Sequence, residues 1–371
     1  MRFNNTSKID LGALSIEIYG ASHSERIGVK CKGLPYGEEI DTAELYGFLK
    51  RRSPGQNCTS SSRKESDNPL FISGFKNGVL CGDFCAEILN TDKKREDYTS
   101  TSFIPRPGHA DYPARIAFGE DYDLSGGGHF SGRMTAPLCV IGGIALQLLK
   151  KQGISIAAHA EKISGVQDRR FSTLENTQND ISLLNERAKN SGILTFTDVV
   201  KEKMEAEILL AANEGDSLGG VVECAAAGLP TGLGRHMFES IEGRLCSICF
   251  AVPSIKGIEF GDGFGVSDLK GSQNNDGYAY RGGKVSLLSN HAGGILGGMT
   301  TGAPVIFRVA VKPTPSIFKQ QSSVDMQNRE NVILSLKGRH DPCIVGRIIP
   351  VIEAVCAIAL LDFLLSGKDP E

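Results

Sequence analysis

Apolar and polar positions alternate along the chain in distinct local patterns, and each pattern predicts an element. Residues 14–19 (LSIEIY) alternate with period two, which predicts a strand running into the loop GASHS. Asp41 followed by Glu44 reads as a capping-box-like start of a helix that carries Leu45, Phe48 and Leu49 on one face and stops before Pro54. The apolar run TAPLCVIGGIALQLLKK predicts a buried helix from Gly132 to the turn at Gly153. Residues 165–218 are charged and poor in Gly, with helical spacing in STLENTQNDISLLNERAKN and DVVKEKMEAEILLAANEG, as amphipathic surface helices require. Strands are expected at 220–229, 284–289 and 303–311, and a helix at 236–250. Residues 348–365 (IIPVIEAVCAIALLDFLL) approach the length of a membrane span. They include Pro350, Glu353 and Asp362, and two carboxylates at depth cost roughly 2.5 to 3.5 kcal/mol each, so a buried helix is the expected outcome. The polar stretches at 57–63 and 90–107 show no usable periodicity and read as long loops, the kind that handle ligands.

Composition narrows the classes. The chain has 371 residues, long enough for two domains or one large one, and no repeat of fixed period is visible. Its 40 basic and 43 acidic residues leave a formal charge of −3, which argues against a general nucleic-acid binder, so an anionic ligand must meet a local basic cluster. Ten Cys are too few for a disulfide scaffold, and the polar start MRFNNTSKIDLG lacks a secretory pattern; a reducing, cytoplasmic setting is expected. The close pairs Cys81/Cys85 and Cys246/Cys249 lack the further ligands of a zinc site and are read as small core residues.

Three glycine clusters, at 125–132 (SGGGHFSG), 257–265 (GIEFGDGFG) and 292–302 (AGGILGGMTTG), offer close backbone approach and exposed N–H donors, without the lysine and hydroxyl of a P-loop. His23, His109 and His340 lie in Gly/Pro/Asp/Ser-rich loops (GASHS, RPGHAD, GRHDP), and where Arg and Asp flank the histidine, as in the last two, a titratable group sits beside groups that tune it. Arg106, Arg115, Arg133, Arg339 and Arg347 add fork-shaped donors for phosphate or carboxylate. Any one of these features has a purely structural reading; together they suit a small substrate bearing phosphate and carboxylate groups.

Taken in order, YGASHSERIGV (19–29), RRSPGQ (51–56), NTD (90–92), RPGHADY (106–112), SGGGHFSGR (125–133), DSLGGVVE (216–223), IKGIEFGDGF (255–264), SNHAGGILGG (289–298), KPTPSI (312–317) and GRHDPCIVGR (338–347) resemble the motifs of the chorismate synthase family over nearly the whole chain. The resemblance implies an α+β fold, a β-α-β sandwich with internal pseudo-symmetry, as one unit over 1–371 and assembled as a homotetramer. It implies a lyase of the shikimate pathway that converts 5-enolpyruvylshikimate-3-phosphate to chorismate by 1,4-anti elimination of phosphate, with reduced FMN. By the same resemblance His23 is the acid at the leaving phosphate, His109 sits beside the flavin, and Asp341 assists removal of the ring proton. Arg51, Arg52, Arg133 and Arg339 would face the substrate's anionic groups. His129, Phe130, Ser131, Pro253, Ser254, Gly297, Lys312, Pro313, Thr314, Pro315, Ser316 and Arg339 would line the FMN. Some members couple to NADP(H)-dependent flavin reduction; no such domain is evident here, so an external flavin reductase is expected, with no nucleic-acid or membrane partner.

The chain departs from the family pattern in places. Ala21 and Ser24 flank SH where ESHG is usual, His129 and Phe130 replace Arg and Ser, Met134 replaces Glu, Cys58 replaces a frequent Arg, and Gly346 replaces the Pro of VPR. Retained His23, His109, Arg133 and Asp341 favour an active enzyme; the substitutions motivate the alternative of a diverged, non-catalytic FMN-binding paralogue.

Overall fold

The computed structural model describes residues 6–55, 66–91, 103–119, 122–174, 176–189, 192–336, 338 and 340–367. The expected loop at 57–63 and Cys58 lie outside them, as do most of the loop at 90–107 and Arg339.

The first half gives β1 (Thr6–Asp10), β2 (Ser15–Gly20), β3 (Arg26–Lys32), α1 (Thr42–Arg52), β4 (Leu70–Lys76), β5 (Val79–Leu89), α2 (Asp111–Phe118) and α3 (Thr135–Lys151). The second half opens with β6 (Ser155–Ile163), β7 (Val166–Gln167), α4 (Thr177–Arg187), α5 (Asp198–Asn213), β8 (Gly220–Ala227), α6 (Ile241–Ala251), β9 (Ile255–Phe260) and the single turn α7 (Gly271–Asn274). Three hairpin-like pairs flank the next long strand: β10 (Tyr278–Arg281) with β11 (Lys284–Leu287), β12 (Ile295–Leu296) with β13 (Met299–Thr300), then β14 (Val305–Val311), and β15 (Gln321–Asp325) with β16 (Glu330–Leu334). α8 (Val345–Ser366) closes the described chain.

Among the described residues two five-stranded antiparallel sheets form, ordered β1-β2-β3-β5-β4 and β7-β6-β8-β14-β9. Helices fill the space between them. α3 packs on β3, β5 and β6, α8 on β6 and β8, and the two helices pack on each other. The two orders match term by term: β2, β3, β5, β4 correspond to β6, β8, β14, β9. α1 and α6 each follow the second strand of their set, and α3 and α8 each follow the strand that pairs inward. This is the internal pseudo-symmetry, in an α+β sandwich.

Both helices that are long and apolar enough to cross a membrane are buried in this core. Gly142 of α3 lets the backbones approach closely, since a Cβ there would overlap Ala354 of α8. The two carboxylates of α8 are neutralised by partners rather than exposed. Glu353 takes a two-pronged ion pair from Arg51 (2.6 and 2.9 Å) and the Ala158 N–H, and Asp362 accepts from Gly12, Ala13 and Leu14 N–H and from Arg244 at 2.5 Å.

Two expectations need correction. The helix expected from 236 starts at Ile241, because the Ser240 hydroxyl caps the Gly243 N–H, and a short turn at Met237–Glu239, with Met237 at φ +54°, precedes it. The capping box at α1 is half made: Asp41 accepts from the Ala43 and Glu44 N–H groups, while the Glu44 side chain bonds Lys150 on α3 instead of turning back.

Candidate active site

The glycine run 126–128 is the centre of the site. All three residues have positive φ (62°, 102° and 55°), backbone that side-chain-bearing residues rarely adopt. The missing side chains leave room for two imidazoles. A Cβ at Gly126 would collide with the His23 ring, and one at Gly127 would lie 3.2 Å from His109 Nε2. Two loop histidines separated by 86 positions therefore meet on one stretch of backbone, the first carried by the loop between β2 and β3, the second by the turn before α2.

Each imidazole is oriented by a neighbour. His23 is buried, and its Nδ1 lies 3.0 Å from Ser22 Oγ, whose hydroxyl donates to the Ser125 carbonyl; the Ser22 oxygen thus accepts from Nδ1–H. The Ser22 N–H donates to the Gly128 carbonyl, which locks this loop onto the glycine run. His109 Nδ1 lies 2.6 Å from Asp111 Oδ1, and Arg106 grips the same carboxylate through Nε (2.6 Å) and Nη2 (2.8 Å). Burial acts to raise the Asp111 carboxyl, but the bonds from Arg106 and His109 outweigh it and hold it well below the usual carboxylate range.

The expected flavin-contact segment docks beside this pair. Lys312 Nζ donates to the Gly108 carbonyl, Pro315 packs against Gly108, and the Lys312 N–H bonds the Ser254 carbonyl, so 253–254, 312–316 and the His109 turn form one surface. Burial and nearby Lys256 lower the Lys312 ammonium. Thr314 Oγ1 is buried with no hydrogen-bond partner among the described residues.

The substituted loop positions are absorbed by local structure. His129 bonds the Gly20 carbonyl through Nδ1 (2.8 Å) and Ser7 Oγ through Nε2 (2.7 Å), pinning β1 and β2 to the loop. Phe130 joins Phe118 and Tyr122 in an aromatic cluster with centroids 4.8 to 6.4 Å apart. The Ser131 hydroxyl accepts from the Arg133 N–H. Met134 is buried in the core. Gly297 stands apart: it turns β12 into β13, and its neighbour Gly298 packs against Arg235 and Ser240 at the start of α6.

The arginines are paired. Arg52 and Arg133, both buried, share Asp67: Arg52 Nε at 2.6 Å and Arg133 Nη1 on the other oxygen. Arg133 Nε also donates to Asn90 Oδ1 (3.0 Å), while Asn90 ties down the Ala21 and Ser24 carbonyls beside His23. Burial would raise the Asp67 carboxyl, yet the two guanidiniums prevail and lower it. Asp67 thus joins two guanidiniums just ahead of α3, where Arg52 Nη1 also reaches the Thr135 hydroxyl (3.4 Å). Arg51 instead faces Glu353, on the rim of a separate cavity of about 1160 Å³ lined also by Glu44, Lys50, Lys150 and Lys189. Asp341 pairs with Arg347 at 2.5 Å, and Arg347 Nε donates to the Arg52 carbonyl, so this loop is fastened to the end of α1.

A family model described as chorismate synthase matches residues 14–365. The chain belongs to the chorismate synthase family. Its members are carbon–oxygen lyases. A "Chorismate synthase" of Lancefieldella parvula is 45% identical over 361 residues, covering 95% of each chain, and one of Pyrococcus abyssi is 42% identical over 355 residues, covering 95% of this chain and 96% of that one. A structure titled "Crystal Structure of Chorismate Synthase" superposes with a TM-score of 0.74 at 25% identity, over 96% of this chain and 93% of that one. The family likeness therefore extends through both sheets and the helices between them.

Sequence reasoning missed Asp67, Asn90 and Ser22 as members of this site. Asp111 was signalled by RPGHAD, an acid two residues from the histidine. Nothing in the spacing of Asp67 announces that two distant arginines converge on it.

Proposed function

We propose that the chain converts 5-enolpyruvylshikimate-3-phosphate to chorismate and phosphate by 1,4-anti elimination, with FMN bound in its reduced form. The observation that carries this is the meeting of His23 and His109 on the side-chain-free backbone at 126–127, with Asn90 linking the His23 loop to Arg133.

The residues present fit the flavin. The glycine run allows a planar group to approach the backbone, and the buried, unpartnered Thr314 Oγ1 and the Lys312 ammonium offer polar partners on the adjoining surface. His109, His129 to Ser131, Pro253, Ser254 and Lys312 to Ser316 are the proposed holding residues, with Gly297 and Arg339 carried over from the family. Reduced FMN supplies an electron-rich ring system that supports loss of the phosphate. Expelling phosphate develops negative charge on its bridging oxygen, and in this reading His23 protonates it while Arg52 and Arg133 stabilise it. Arg339 and Arg51 are carried over from the family as substrate contacts, and for Arg51 that role requires it to leave Glu353. Asp341, fixed by Arg347, assists removal of the ring proton. Homotetrameric assembly, a cytoplasmic setting and flavin reduction by an external reductase complete the reading.

The deciding experiment is anaerobic incubation of the purified protein with reduced FMN and 5-enolpyruvylshikimate-3-phosphate. Chorismate and phosphate should form in equal amounts; their absence overturns the proposal, and FMN binding without product favours the non-catalytic alternative. His23→Ala and His109→Ala should each lower turnover by roughly 10²- to 10⁴-fold, the usual contribution of a positioned acid or base, as read by chorismate absorbance.

A further inference from the structure

The two nitrogens of His109 have different surroundings. Nδ1 is 2.6 Å from Asp111 Oδ1, while Nε2 faces the glycine run, 3.2 Å from where a Cβ of Gly127 would stand. Asp111 is the first residue of α2, where an acid commonly complements the helix dipole, yet its carboxylate is turned back over the preceding turn. It accepts the Arg106 backbone N–H (3.0 Å) and two guanidinium bonds from the same arginine, and that turn is closed by the His109 N–H on the Arg106 carbonyl. An ionised carboxylate only accepts, so at 2.6 Å the proton between it and the imidazole belongs to Nδ1. Arg106 Nη2, 3.2 Å from the same nitrogen, is satisfied by that carboxylate oxygen rather than by the ring.

We propose that Asp111, held by Arg106, is a positioning residue that keeps His109 in the Nδ1–H tautomer, leaving Nε2 as the atom that exchanges protons with whatever lies on the glycine run. The inference deepens the reading of His109 given above and rests on it for its catalytic meaning. Its structural content stands alone. Among the described residues the charged groups beside the imidazole are Arg106 and Asp111 on its own turn and Lys312 across from it, on the Gly108 carbonyl, while Gly127 presents only backbone. A carboxylate fully committed to one guanidinium and one imidazole cannot move away to let the ring flip.

The tautomer is read directly, without turnover, by nitrogen-15 NMR of the full-length protein labelled in histidine. In the parent protein His109 should show a protonated Nδ1 and an unprotonated Nε2 when neutral. A protonated Nε2 overturns the proposal. Asp111→Asn, whose amide can donate as well as accept, should convert His109 to the other tautomer or a mixture and lower kcat at least 10-fold with KM little changed. Asp111→Glu should restore part of both signals. If Asp111 only fastened the turn, Asp111→Asn would lower the melting temperature but leave the tautomer and the KM-against-kcat split as in the parent, and the proposal fails. Failure of the wider reading shows differently, as a correct tautomer in a protein that makes no chorismate.

Discussion

Asp67 shows how a single residue ties a site together. Its two oxygens serve two buried guanidiniums from distant parts of the chain, so removing its charge takes a shared anion from both. Asp67→Asn should cost roughly 3 to 5 kcal/mol, the usual penalty for breaking a buried ion pair from one side, measured by equilibrium denaturant unfolding. Gly126 acts through absence. Its φ of 62° and the His23 ring in the space of its missing side chain leave no room for Ala. Gly126→Ala should displace His23 and lower turnover by about 10²-fold or more, matching loss of the histidine itself; an unimpaired variant would show that the ring tolerates displacement. At this scale the sequence was informative where type and neighbour coincide. A histidine between Arg and Asp in RPGHAD carries its partners with it, and the three-glycine run signals special backbone. What could not be read was which arginine finds which acid. Arg51 and Arg52 are adjacent, yet one turns to Glu353, a residue 302 positions away, and the other to Asp67.

At the scale of elements, helices with one apolar stripe or none polar were plain, and most of the first sheet was not. α3 and α8 announced themselves by length and apolarity, α4 and α5 by amphipathic spacing. β6 is buried on both faces, so its sequence lacks alternation, and β1 is an exposed polar edge with nothing to mark it, whereas β14 falls within the strand expected at 303–311. The sheet of β6, β8, β14 and β9 hides a row of charges that register alone creates. His159, Glu223, Arg308 and Glu259 are direct cross-strand partners, and His159 lies 3.3 Å from Asp168 and 3.2 Å from Glu223. Burial pushes the His159 pKa down, but the two carboxylates overcome it and raise it. A raised folded-state value means the imidazolium stabilises fully below the unfolded pKa of about 6.5 and less as pH rises through the folded value. His159→Gln should therefore lose more unfolding free energy at about pH 6 than at about pH 9, and a pH-independent difference would contradict a charged His159. Packing between α3 and α8 allows a separate check. Gly142→Val forces a side chain onto Ala354 and should destabilise by about 1 to 3 kcal/mol or more, seen as a lower midpoint in thermal unfolding.

For the molecule as a whole, repetition of one strand-and-helix plan places the site. The corresponding helices α3 and α8 are each preceded by a glycine-bearing loop and begin beside an arginine, Arg133 in one half and Arg347 in the other. Arg133 reaches Asp67, which Arg52 also holds, and Arg347 reaches Asp341 and the Arg52 carbonyl, so both halves deliver paired charges to the end of α1. The family fold was legible because so many collinear motifs fall at these loops; the equivalence of the two halves was not, since β2 and β6 share position without sharing pattern.

Asp362 has a consequence for biosynthesis. Its carboxylate gathers three amide hydrogens from residues 12 to 14, up to 350 positions earlier in the chain, together with the guanidinium of Arg244. The corner joining the first two strands thus leaves the ribosome long before the group that satisfies it exists, and until translation reaches that aspartate those amides have only water for company.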